Sequence, residues 1–118
     1  PLITSQEGIE QMLCLDTDQC LAGAMFACLT SPEDFDAAIV TAVNHSGISS
    51  AVGAITGAIL GAKLGEYALP EFYLDSLECA DVLRILAEDM LTGSPAASVF
   101  DDSWDQKYVQ GLPPEGII

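Results

Sequence analysis

Apolar residues recur along this chain three and four positions apart, and that spacing predicts a succession of helices. The first is expected over Ser5–Leu15, with Ser5 as its cap and Ile9, Met12 and Leu13 on one face. A second begins after Asp16 or Thr17 and carries Leu21, Ala24, Met25 and Cys28. Its run from Cys20 to Leu29 is so nearly continuous that burial on most sides is expected. Ser31-Pro32-Glu33-Asp34 is a start signal: serine caps, proline suits the first turn, and acids face the positive end of the helix dipole. Phe35, Ala38, Ile39, Ala42 and Val43 then form an apolar face. That helix is expected to end at Asn44–Gly47, with Gly47 free to take a positive φ.

The next helix, from about Ser49 to Gly65, has glycine at every fourth place: Gly53, Gly57, Gly61 and Gly65. Four-residue spacing keeps them on one side. Each costs about 1 kcal/mol relative to alanine inside a helix. The simplest reason for four is close approach of another helix or of a ligand. Pro70 starts a further helix bearing Phe72, Leu74 and Leu77, and Val82, Leu83, Ile85, Leu86, Met90 and Leu91 continue the helical spacing until Gly93-Ser94-Pro95 breaks it. Residues 96–118 change character and read as an extended acidic tail, anchored by Trp104 and Tyr108. Strand alternation is absent except for an ambiguous Lys107–Leu112, and no internal repeat is evident. The expected fold class is all-α: a compact bundle of five to six helices over residues 1–95, followed by the tail.

Length fits one domain, and with half the residues hydrophobic a true core is possible. Net charge narrows the picture more sharply. At −15, with Lys63, Arg84 and Lys107 as the only basic residues, the chain repels nucleic-acid backbones and anionic membranes. Gly47–Ala62 is apolar, but it is short for a bilayer crossing and is followed at once by Lys63 and Glu66; a buried helix is the better reading. Cys14, Cys20, Cys28 and Cys79, spaced six, eight and fifty-one apart, match no zinc motif and read as buried free thiols in a reducing cytoplasm. No signal peptide is visible, and a start at Pro1 without methionine reads as a fragment or a trimmed chain.

Candidate chemistry gathers at one joint. Asn44, His45, Ser46, Ser49 and Ser50 lie where two predicted helices meet, at a helix N-terminus suited to anions. His45 is the only histidine, hence the natural acid–base at neutral pH. With no carboxylate beside it in sequence, a hydrogen-bonded loop histidine is the favoured role. Ser46 lacks a nucleophile elbow, and Ser49 or Ser50 reads as a helix cap. The acids Glu33-Asp34-Phe35-Asp36 and Asp101-Asp102 are taken as solvated charges rather than metal ligands. Asp16 and Asp18 could cap a helix or face the same site.

The pattern Phe35–Gly47 followed by Ala51–Ala62 resembles the C-terminal part of the ADP-ribosylglycohydrolases of the dinitrogenase-reductase-activating type. So do the helix before Ser31 and the segment from Gly65 to Glu78, so that the likeness covers about residues 16–91. The resemblance implies an all-helical fold and a hydrolase that uses a pair of magnesium ions to cleave ADP-ribose from modified protein side chains. It assigns Asn44, His45, Ser46 and Gly47 to the floor of the substrate cleft. In that family the loop usually continues Gly-Asp-x-Asp-Ser/Thr, and the two acids hold metal. Here Ile48, Ser50 and Ala51 stand at the matching positions. Isoleucine and serine do not hold a hard cation as two carboxylates do. No metal is therefore expected for this chain, at most weak binding of an ADP-ribose-type ligand, and no confident catalytic residue.

Three readings follow. The first is a truncated or degenerate family member with little or no hydrolase activity alone. The second is the C-terminal half of an active enzyme completed by another segment or chain. The third is a helical protein-interaction module. Apolar helix faces left by a missing N-terminal half would favour a homo-oligomer, with the glycine-striped helix or its neighbours at the contact.

Overall fold

The computed structural model describes residues 3–92 together with Gln106 and Tyr108. The described residues contain six α-helices, one short 3₁₀ turn and no strand, as the apolar spacing predicted. The chain divides into two compact units, Pro1–Asp75 and Ser76–Ile118. The expected break at residues 93–95 and the tail from 96 onward fall outside the described residues, apart from Gln106 and Tyr108.

In the first unit, α1 spans Ser5–Gln11. Thr4 caps it, not Ser5. The Thr4 hydroxyl accepts the Glu7 amide at 3.1 Å while Glu7 Oε2 accepts the Thr4 amide at 2.9 Å, which is a reciprocal capping box. The helix stops short of the expected Leu15 because Leu13 and Cys14 both take left-handed backbones, with φ of 64° and 53°. Helix α2, Thr17–Thr30, is capped by Asp16, whose Oδ1 accepts the Gln19 amide at 2.9 Å. Helix α3, Phe35–Val43, is capped by Asp34 rather than Ser31. Both residues are competent caps, but the carboxylate sits directly before the apolar run and takes the Ala37 amide at 3.0 Å. Ser31 instead closes α2 through its own amide to Ala27 O.

Helix α4, Ser49–Leu64, buries Val52, Thr56 and Leu60, again at four-residue spacing. Ile48 occupies its cap position without any side-chain cap bond, so neither Ser49 nor Ser50 caps it. The glycines beside this buried row serve separate needs. A β-carbon on Gly53 would meet Val43 Cγ1 at 2.8 Å, so α3 approaches closely there. One on Gly57 would make an ordinary 3.8 Å contact with Ile39, and one on Gly61 would meet nothing. Gly65 ends the helix with φ of 81°.

Helices α2, α3 and α4 pack on one another, with α1 against α2 and α3. Their core is built of small residues. Cys20, Ala24, Ala27, Ala42 and Val52 join Ile9 and Cys14 in one cluster, while Cys28, Ala38 and Leu60 form another. Small side chains let the helix axes approach. After a 3₁₀ turn at Glu66–Ala68, the short α5, Glu71–Asp75, is tied to α3. Tyr73 donates its hydroxyl to Asp36 Oδ1 at 2.7 Å and sets its ring edge-on to Phe35, with centroids 5.4 Å apart. Burial first, and then this bond to Asp36, push the Tyr73 phenol up to about 12.

In the second unit, α6 spans Ala80–Thr92, and Cys79 precedes it with φ of 61°. Arg84 pairs with Asp81 at 3.2 Å, and the Tyr108 hydroxyl donates to Asp89 Oδ2 at 2.6 Å. Tyr108 thus has the anchoring partner expected of it, while Trp104 lies outside the described residues. No helix of the described residues is long and apolar enough to cross a membrane.

Candidate functional site

The four residues singled out by resemblance, Asn44 to Gly47, form the joint between α3 and α4, as their spacing predicted. Each is engaged within the fold. Asn44 Nδ2 donates to Val40 O at 2.7 Å and so caps the last turn of α3. The His45 ring is held at both nitrogens. Nδ1 receives the Gly47 amide at 3.0 Å, and Nε2 lies 2.7 Å from Ala42 O. An amide only donates and a carbonyl only accepts. The network therefore assigns the proton to Nε2 and leaves Nδ1 as acceptor. A ring held at both nitrogens locks the turn, in keeping with the loop-histidine reading.

The adjoining chain completes the lock. The Ser46 amide lies 3.2 Å and 3.1 Å from the two carboxylate oxygens of Glu10, on α1, thirty-six residues away in sequence. The Ile48 amide donates to Cys14 O at 2.8 Å. Gly47 sits under the left-handed Leu13–Cys14 turn. A β-carbon there would run into Leu13 O and lie 2.5 Å from Cys14 O. The φ of Gly47 is not positive, contrary to expectation, and its glycine is required by this close approach. A carboxylate does reach the loop, then, but it binds the Ser46 amide and not the histidine ring. Glu10 is the residue that sequence reasoning missed, and only a contact across distant parts of the chain reveals it.

The positions at the start of α4 offer little to a hard cation. Ile48 is 45% exposed and apolar, Ser50 is exposed and Ala51 is partly buried. The Ser49 hydroxyl turns back to His45 O at 3.4 Å. No group of three or more His, Cys, Asp or Glu side chains able to hold a metal ion occurs among the described residues. The donor set at this joint does not fit a magnesium pair. Of the two further acids considered for this site, Asp16 is engaged as the α2 cap and Asp18 is exposed in the first turn of α2. A shallow depression lined by Gln6, Glu7, Glu10 and Gln11 lies along α1, and none of Asn44–Gly47 belongs to its lining.

The thiols are as the sequence suggested for three of the four. Cys14, Cys20 and Cys28 are buried, Cys79 is exposed, and all are free. Burial pushes the Cys14 and Cys28 thiols up, with nearby Cys20 and Glu10 adding to the effect at Cys14. Such thiols are poor nucleophiles.

An all-helical protein whose candidate chemistry lies in a locked turn between two packed helices is the class this arrangement defines. The ADP-ribosylglycohydrolase family model matches residues 5–99, and the chain belongs to that family. The match extends beyond residues 16–91 to include α1 and the Glu10 clamp. Searches of curated proteins and of solved structures gave no match.

Proposed function

We propose that this chain is a degenerate ADP-ribosylglycohydrolase domain that keeps the scaffold of the substrate cleft and has lost its magnesium clamp. The observation that carries the reading is the start of α4. There an exposed isoleucine, a serine and an alanine stand where the family resemblance calls for two carboxylates and a hydroxyl. The engagement of His45 at both ring nitrogens supports it, because a general base needs a free acceptor directed at substrate. In this reading Asn44, His45, Ser46 and Gly47 shape a surface for an ADP-ribose-type ligand at most weakly, and they hold no cofactor. Four free thiols, three of them buried, support a reducing compartment such as the cytoplasm.

The test is an assay of ADP-ribose release from ADP-ribosylated arginine protein with magnesium present, run beside thermal unfolding with and without the ion. No release and no magnesium-dependent shift are expected. Clear turnover by the chain would overturn the proposal.

A second reading is an active hydrolase whose metal ligands come from another segment or chain. It is favoured by one observation, the exposed apolar row on α2, which suits a packing partner. It predicts that magnesium-dependent turnover appears only when the further polypeptide is supplied.

A further inference from the structure

Helix α6 is the one α-helix described in the second unit, and none of the residues described in it is fully buried. Its exposure is uneven. Val82, Ile85 and Asp89, three and four positions apart, are half-buried and share one side. Leu86 beside them is 37% exposed, whereas Met90 and Leu91 are 82% and 88% exposed. A helix side that is partly covered has something lying over it. Tyr108 reaches that side: its hydroxyl donates to Asp89 Oδ2 at 2.6 Å. Tyr108 itself keeps only 36% of its surface exposed. Its backbone is helical, as is that of Gln106, so these two positions do not follow the extended path expected of the tail.

The sequence around Tyr108 suits a short helix packed on one side. Trp104 and Tyr108 stand four positions apart, Asp102 and Ser103 before them are capping types, and Gly111 and Pro113 after them are stop signals. Nineteen positions separate Asp89 from Tyr108, which is enough chain to leave α6 at Thr92 and return. A second copy of the chain, or another protein, would have to displace the Tyr108 bond to reach the same side. The chain's own C-terminal residues already hold it and stay tethered there at high effective concentration. We infer that residues 103–112 dock as a helix on the Val82–Ile85–Asp89 side of α6, with Trp104 and Tyr108 as the anchors. The C-terminal residues are then a working part of the second unit and not a solvated appendage. This docking is independent of whether the domain hydrolyses anything.

Trp104 is the only tryptophan, so its fluorescence in the full chain reads the docking directly. Its emission should lie to the blue of the urea-unfolded chain and be shielded from acrylamide. Ile85→Asp puts a charge on the docked side and should move the emission to the red, with quenching about threefold stronger. Should that variant lose helical circular dichroism, Tyr108→Ala, which leaves α6 unaltered, is expected to raise quenching about twofold. The native signal should be the same at low and high protein concentration. Native emission matching that of the unfolded chain would overturn the inference. So would unchanged quenching in either folded variant, or a blue shift that disappears on dilution, which would make a second copy the cover.

Discussion

Gly47 lies so close beneath the carbonyl oxygens of Leu13 and Cys14 that no β-carbon fits between them. Two connections far apart in sequence, α1–α2 and α3–α4, are pressed together at this point. The obstacle is backbone, which has little room to yield. Gly47→Ala is therefore expected to destabilise the chain by about 2 kcal/mol or more in urea unfolding. Gly61→Ala meets nothing within 4 Å and should stabilise it by about 1 kcal/mol. The same substitution at two glycines should thus act with opposite signs. Equal effects would show that the Gly47 contact is not close.

Glu10 holds the Ser46 amide through both carboxylate oxygens. Glu10→Ala should release that amide to solvent. Its hydrogen exchange by NMR is expected to accelerate at least about tenfold, with a loss of about 1 kcal/mol in global stability. Unchanged exchange at Ser46 would refute the clamp.

Part of this arrangement is legible along the chain and part is not. The existence and order of the helices follow from apolar spacing, whereas the spacing leaves open whether Asp16 caps α2, and the bond to the Gln19 amide decides it. Choosing Asp34 over Ser31 required more, because both side chains cap well and only the final path of the chain selects between them. The α3–α4 joint is legible in the spacing, but the reason for Gly47 is not. A left-handed residue is a local property, whereas the close approach of Leu13 and Cys14 is set by the docking of α1. Glu10 escaped for the same reason. The glycine row looked uniform in sequence. In space Gly53 faces Val43, Gly61 faces nothing and Gly65 turns the chain.

Tyr73 gives alkaline stability a direction. Its phenol is raised to about 12 by burial and by the bond to Asp36, so the folded state favours the protonated form. That contribution is complete below the unfolded value near 10 and is lost as pH rises from 10 towards 12. Unfolding free energy should fall over this interval, and Tyr73→Phe should fall less steeply. Parallel slopes for the two proteins would refute the assignment.

Thiol reactivity should report the fold. Cys79 is exposed while Cys14, Cys20 and Cys28 are buried. A chromogenic disulfide reagent is expected to titrate one thiol rapidly in the native chain and the other three only on unfolding. Two or more fast thiols would contradict the packing of α2.

The combined substitution Ile48→Asp and Ser50→Asp returns carboxylates to the start of α4. Magnesium affinity should appear by calorimetry, with none expected of the parent chain. If no heat of binding develops, the correspondence of these two positions with the family's metal ligands is wrong.

The clamp between Glu10 and Ser46 joins residues thirty-six positions apart, whereas α3 and α4 are neighbours along the chain. Closing the longer loop carries the greater entropy penalty. The helical hairpin of α3 and α4 is thus expected to organise early in folding, with α1 latching onto their joint only after the rate-limiting barrier. Damage at Gly47 or Glu10 would then leave the refolding rate nearly unchanged and hasten unfolding. The latch sets how long the native state lasts once formed, more than how quickly it is reached.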